Sequence, residues 1–242
     1  MMNAVEVGWL GDRALLLRLG TGIDIELNAR AHALARALRM ADLPGVLDIV
    51  PAYASVTVHY DPLAWSEPGS AETPGERLAQ RLEALCLACA ERGFDRAAES
   101  EDRTIEIPVC YGGDYGPDLD QVARLVKLDD AEVIARHTRA DYRVAMLGFA
   151  PGFPYLLGLD PALHAPRRAN PRTRVPAGAV AIGGAQTGIY PRELPGGWQI
   201  IGRTPLALFD VARDPPALLA PGLRVRFRAI DSNEFVRIEA HD

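Results

Sequence analysis

The stretch from Gly148 to Asp210 constrains the chain most. It begins GFAPGFPYLLGLD, runs through PRRANPRTRVPAGAVAIGGAQTGIYP, closes with LPGGWQIIGRTPLALFD, and holds ten of the chain's 22 glycines. Glycine and proline at such density would ordinarily mean loop, but here they alternate with short apolar runs at 179–182, 199–201 and 206–209. That alternation predicts short strands joined by tight turns whose geometry the backbone dictates. Six arginines (Arg167, Arg168, Arg172, Arg174, Arg192 and Arg203) stand in this stretch against Asp160 and Glu193 up to Phe209, in a chain of formal net charge −6. Positive charge is concentrated where the turns are.

The remaining chain divides by pattern. Residues 5–19 alternate as two strands about the Gly11-Asp12 turn signal, 25–40 carry the apolar periodicity of a helix, 46–51 and 54–60 read as strands, and 75–92 as a second helix. A β-β-α-β-β-α order predicts a small α+β domain over 1–95, an antiparallel sheet covered on one face by two helices. Residues 96–103 are charged and short of large apolar groups, and read as a linker. From 104 to 242 the expected elements are a strand at 104–111, two short helices within 118–137 with Asp129 capping the second, a strand at 142–147, the glycine-rich stretch, a strand at 223–229 and a last short strand at 235–239. Closely spaced strands of this kind predict a mainly-β, barrel-like second domain.

Several chemistries are excluded on residue content. Lys127 is the only lysine among 26 basic residues and lies in the polar run KLDDAE, so there is neither a Walker lysine nor a plausible Schiff-base lysine. No serine stands in a GxSxG context. Cys86 and Cys89 form a CxxC inside an apolar-periodic helix, and without a histidine nearby they read as core residues, not as a zinc or redox site. His32, His59, His164 and His241 show no partner pattern, so no metal is expected. Negative overall charge, with the arginines gathered in one segment, argues against nucleic acid. No run approaches the ~18 apolar residues of a membrane span, no apolar h-region stands at residues 1–10, and a cytoplasmic protein is expected.

The long motifs GFAPGFPYL, PRRANPRTRVPAGAV, QTGIYP, PGGWQIIGRTP and LFD carry a resemblance. Together with GDRALLLRLG, GVLDIVPAYASVTVHYDP and the HT-x3-Y-x-V spacing at His137, Thr138, Tyr142 and Val144, they resemble the family that includes the 5-oxoprolinase B subunit, the allophanate hydrolase subunit 1 domain and the kinase inhibitor KipI. The resemblance covers nearly the whole chain and implies that the second domain is a cyclophilin-like barrel. It further implies a part in ATP-dependent hydrolysis of 5-oxoproline to glutamate, in a tight complex with a C subunit and together with an A subunit. ATP would then be handled through the complex, since this chain has no nucleotide motif. The resemblance equally admits an inhibitor of a sensor histidine kinase, or a subunit 1 of the urea carboxylase and allophanate hydrolase kind. Where the family pattern leads one to expect VPAGSV, this chain has Ala179, which weakens any role for a hydroxyl there.

Within that frame the candidate catalytic residues are His137, Arg168 and Arg172. Arg168 and Arg172 lie between prolines that restrict the backbone, and a guanidinium suits bidentate binding of a small anionic substrate. His137, with an ordinary pKa of ~6.5, is placed to move a proton; it also reads as a histidine satisfying carbonyls at a helix C-terminus. Candidate substrate-binding residues are Gln186 and Tyr190, flanked by glycines, Arg203 as a further positive charge, and Trp198 as an apolar wall or a core residue. Phe149, Phe153 and Tyr155 read as core or interface aromatics.

Overall fold

The computed structural model describes residues 5–93 and 104–240, so the linker expected at 96–103 lies outside the described residues. The chain divides into two compact units, 1–100 and 101–242.

In the first unit the elements are β1 (Glu6–Trp9), β2 (Ala14–Arg18), α1 (Ile25–Met40), β3 (Val46–Pro51), β4 (Ser55–Tyr60) and α2 (Pro74–Glu91). The strands form one antiparallel sheet in the order β1-β2-β4-β3. Alternation along β2 and β4 turns Leu15, Leu17, Val56 and Val58 to one face, where they share a core with Leu34 and Leu38 of α1 and Leu78 and Leu82 of α2. Each helix starts where the sequence supplies a partner for its free N–H groups. The Asp24 carboxylate accepts from the Leu27 N–H at 2.8 Å, and Thr73 and Glu76 make a reciprocal capping box ahead of α2. Cys86 belongs to this core, and burial pushes its thiol up to about 12, which leaves it protonated and inert.

The second unit contains β5 (Thr104–Tyr111), α3 (Leu119–Val126), α4 (Asp130–Arg139), β6 (Tyr142–Leu147), β7 (Pro154–Leu157), β8 (Arg172–Val175), β9 (Ala179–Gly183), β10 (Gln186–Ile189), β11 (Leu194–Gly196), β12 (Gln199–Arg203), β13 (Arg224–Ile230) and α5 (Ser232–Glu239). Seven strands close a barrel in the order β10-β7-β6-β13-β5-β12-β9, while β8 and β11 pair as a separate ribbon. β13 enters the barrel parallel to β5, in register from Arg224 opposite Thr104 to Ile230 opposite Cys110. Ile107, Val109, Val144, Leu156, Val180, Ile182, Ile189, Ile201, Val225 and Phe227 fill its core, with Val122 of α3 and Val133 of α4 packed against them. Asp129 caps α4 as expected, its carboxylate accepting from the Glu132 N–H at 2.7 Å.

Two expected strands are absent as strands. Residues 235–239 lie within α5, because the Asp231 carboxylate accepts from the Glu234 N–H at 2.8 Å and starts a helix. Phe235 and Ile238, three apart, then share one side against Tyr115, Cys110 and Ile230. The run 206–209 makes only a single bridge, Phe209 to Ala217, flanked by prolines at 205, 215 and 216 that withhold the N–H groups a longer ladder needs.

Candidate functional site

The turns of the glycine-rich stretch meet at one cleft. Its walls are Phe149, Phe153, Tyr155, Tyr190 and Trp198, its rim Pro171, Pro195, Gly196 and Gly197, its only charged side chains those of Arg167 and Arg168, and its volume is about 240 Å³. Phe153 is the hub of the aromatic wall, meeting Tyr190 edge to face at a centroid distance of 5.1 Å, Trp198 at 5.8 Å and Phe149 at 5.5 Å. Phe149 stands at the lip, 61% exposed, with a φ of 67°. An exposed aromatic held in the left-handed region is a combination the local sequence disfavours, and such strain gathers at functional sites.

Tyr190 is buried in this wall, and that burial raises its pKa more than the nearby Trp198 backbone N–H and the charges of Arg167 and Arg172 lower it. The phenol therefore keeps its proton at neutral pH. Glycine is required at 196 because a Cβ there would fall on the Tyr190 hydroxyl. Gly196→Ala is accordingly expected to displace Tyr190 at a cost of about 1–3 kcal/mol, lowering Tm by about 2–4 °C per kcal/mol. Scanning calorimetry checks this, and an unchanged Tm would mean that the phenol yields freely.

The charged floor is organised by a residue that no motif singles out. Asp118, 3% exposed, sits at the entrance to α3, yet its carboxylate does not cap that helix. Its Oδ1 accepts from Arg168 Nη1 at 2.9 Å and Arg172 Nη2 at 2.8 Å, and its Oδ2 from Arg172 Nη1 at 2.8 Å and the Ile200 N–H at 2.7 Å. Its own N–H donates to the Ile200 carbonyl at 2.9 Å. The Pro166–Arg168 segment is held down separately, by Arg168 N–H to the Gly197 carbonyl at 2.7 Å and Gln199 Nε2 to the Pro166 carbonyl at 3.0 Å.

The balance of charge follows from these contacts. Arg172 commits both Nη groups to Asp118 and does not line the cleft, whereas Arg168 lines it and commits only Nη1. Arg168 Nη2 and the enclosed Nε have no partner among the described residues. Arg167 lies with its guanidinium 5.7 Å from the Trp198 ring centre, and among the described residues no carboxylate pairs with it. Two guanidiniums thus share one buried carboxylate and a third, Arg167, lies over Trp198, leaving positive charge beside an aromatic wall. Such a cleft suits a small, flat anion whose oxygens meet an arginine while its ring lies on the aromatics.

Of the residues expected from sequence, Arg168, Tyr190 and Trp198 meet in this cleft, and Arg172 stands behind Arg168. Three others lie elsewhere. His137 is wholly buried inside the barrel unit, where Tyr111 Oη bonds its Nδ1 at 2.8 Å and its Nε2 meets Thr187 Oγ1 at 3.1 Å. Thr187 Oγ1 donates onward to the Ala181 carbonyl at 3.0 Å, so the ring donates from Nε2 and accepts at Nδ1. Burial depresses its pKa to about 3, and the ring stacks on Phe227 at 4.5 Å. A neutral imidazole with both nitrogens engaged is a brace in the barrel core, and the geometry does not favour the proton-carrying role expected of it. Arg203 donates to the Ala177 carbonyl at 2.8 Å, lies 5.6 Å from the Phe235 ring centre and 3.8 Å from Glu239, and does not line the cleft. Gln186 opens β10 opposite Gly183, buried and also apart from the cleft wall.

Comparison with known proteins gives this site a context. Residues 5–219 match the family described as carboxyltransferase domain, subdomain C and D. The 5-oxoprolinase B subunit of Bacillus subtilis is 42% identical over 232 residues, 95% of either chain. That of Escherichia coli O157:H7 is 43% identical, covering 90% of this chain and 93% of its own. Among solved structures, the crystal structure of TTHA0988 aligns with a TM-score of 0.74 and 43% identity, over 91% of this chain and 40% of that longer one.

Proposed function

The chain belongs to the carboxyltransferase-domain family, subdomains C and D, alongside proteins named as the B subunit of 5-oxoprolinase, and on that premise we propose that it serves as the B subunit of an ATP-dependent 5-oxoprolinase with A and C subunits. The observation that carries the reading to this chain's own residues is the cleft in which Arg168 meets the Phe153, Tyr155, Tyr190 and Trp198 wall.

5-Oxoproline is a flat five-membered lactam bearing one carboxylate. Its carboxylate is placed to accept from Arg168 Nη2, a charge-assisted hydrogen bond, with Arg167 adding positive potential at the rim. Its ring fits against the aromatic wall, and the protonated Tyr190 phenol stays a neutral hydrogen-bonding group. The unstrained amide of the lactam is a poor electrophile; phosphorylation of its oxygen activates the carbonyl carbon toward water, and that is the chemistry ATP supplies when bound.

The cleft does not fit ATP itself. Its volume of about 240 Å³ and its two arginines, with no lysine among its lining residues, suit a single small ring, and a nucleoside triphosphate asks for a larger, phosphate-cradling loop. ATP accordingly belongs to a partner chain, and the part played here is to hold, orient and shield the small anion. The test is to mix the purified chain with A- and C-type subunits and follow ATP hydrolysis as 5-oxoproline is added. Hydrolysis that requires 5-oxoproline and this chain is expected; hydrolysis indifferent to either overturns the reading.

A further inference from the structure

We propose that Asp118 and Arg172 are positioning residues that aim Arg168 into the cleft without touching the ligand. This rests on the reading of the cleft as a carboxylate site. All the strong acceptor directions of the Asp118 carboxylate are used, two by Arg172, one by Arg168 and one by the Ile200 N–H. One side chain thereby ties the start of α3, the loop before β8 and the strand β12 to a single point. Arg172 grips both carboxylate oxygens in the planar fork that only a guanidinium provides. Arg168, which lines the cleft, is held by one nitrogen, and its Nη2 has no partner among the described residues.

The enclosed Nε of Arg168 supports the same conclusion. A solvated arginine would turn to satisfy that donor, but here the side chain keeps an orientation that leaves it unpaired. The orientation is imposed by the pair behind it. Removing Asp118 would leave two guanidiniums facing one another, so Asp118→Asn risks the fold, and Arg172→Met is the informative variant.

In the reconstituted three-subunit complex, Arg172→Met is expected to raise the KM for 5-oxoproline roughly tenfold while kcat changes less than about threefold, with Arg172→Lys recovering part of the loss. 2-Pyrrolidinone, the same ring without the carboxylate, separates positioning from general distortion. Its inhibition constant should be unchanged in Arg172→Met, because an effect routed through Arg168 needs a carboxylate to report it. Equal weakening of both ligands, or of neither, overturns the proposal. A second readout needs no substrate: the enclosed Arg168 Nε–H is expected to exchange slowly in the parent chain and rapidly in Arg172→Met. An unchanged, protected resonance would show that Arg172 does not hold Arg168. If the parent complex ignores 5-oxoproline, the functional reading fails, and this resonance alone decides the positioning claim.

Discussion

In the reconstituted complex, Arg168→Met is expected to raise the 5-oxoproline concentration needed for half-saturation by about 10- to 100-fold. The size follows from losing a hydrogen bond between charged partners, worth about 1.5–3 kcal/mol, at 1.4 kcal/mol per tenfold. The fold should survive, because Asp118 keeps the two bonds from Arg172 and the one from the Ile200 N–H, and methionine replaces the stem of the arginine. Steady-state ATP hydrolysis across a 5-oxoproline series measures the shift, and a thermal melt verifies the fold. Unchanged half-saturation in a folded variant would remove Arg168 from the binding site.

The largest effect on stability is expected at His137. His137→Ala would leave a cavity in the barrel core and strip partners from Tyr111 and Thr187, at about 3–5 kcal/mol. The native ring also makes stability depend on pH, with a defined sign. In the folded chain burial holds its pKa at about 3, while in the unfolded chain it titrates near its ordinary ~6.5. Above pH 6.5 both states are neutral and the group adds no pH dependence. Below it the unfolded state binds a proton that the folded state refuses, so stability falls by about 1.4 kcal/mol per pH unit until the folded ring protonates near pH 3. At pH 5 the loss is about 2 kcal/mol. Denaturant unfolding of the parent chain and of His137→Gln between pH 7 and 4 checks this: the variant's curve should be flatter over that range. Parallel curves would mean that His137 titrates normally and is open to solvent.

Much of the fold is legible in the sequence because local signals are strong. Asp129 ahead of an apolar-periodic run starts α4, and the apolar run ALLLR and the alternating SVTVHY mark the paired strands β2 and β4. The miss at 235–239 is a contest between local signals. Val236 and Ile238 favour a strand, but the Asp231 cap starts the chain as a helix before they count.

The site is half legible. The arginines and aromatics of the glycine-rich stretch announce it, because tight turns bring neighbours in sequence close in space. Membership of a motif does not say which face of a strand a residue occupies, however. Trp198, just before β12, lines the cleft, while Arg203 at the far end of that strand points to Ala177 and α5. Thr187 of QTGIYP turns to His137, whereas Tyr190 reaches the cleft. Asp118 could not have been found this way. It looks like any other helix-starting aspartate, and its partners lie 50, 54 and 82 positions along the chain.

Whether the cleft between Arg168 and Trp198 holds the carboxylate-bearing ring of 5-oxoproline is tested most directly by a crystal structure of this chain with C- and A-type subunits, grown with 5-oxoproline. The lactam is expected on the aromatic wall with a carboxylate oxygen within ~3.2 Å of Arg168 Nη2. Electron density for 5-oxoproline at another place in the complex, with this cleft empty of it, would contradict the assignment.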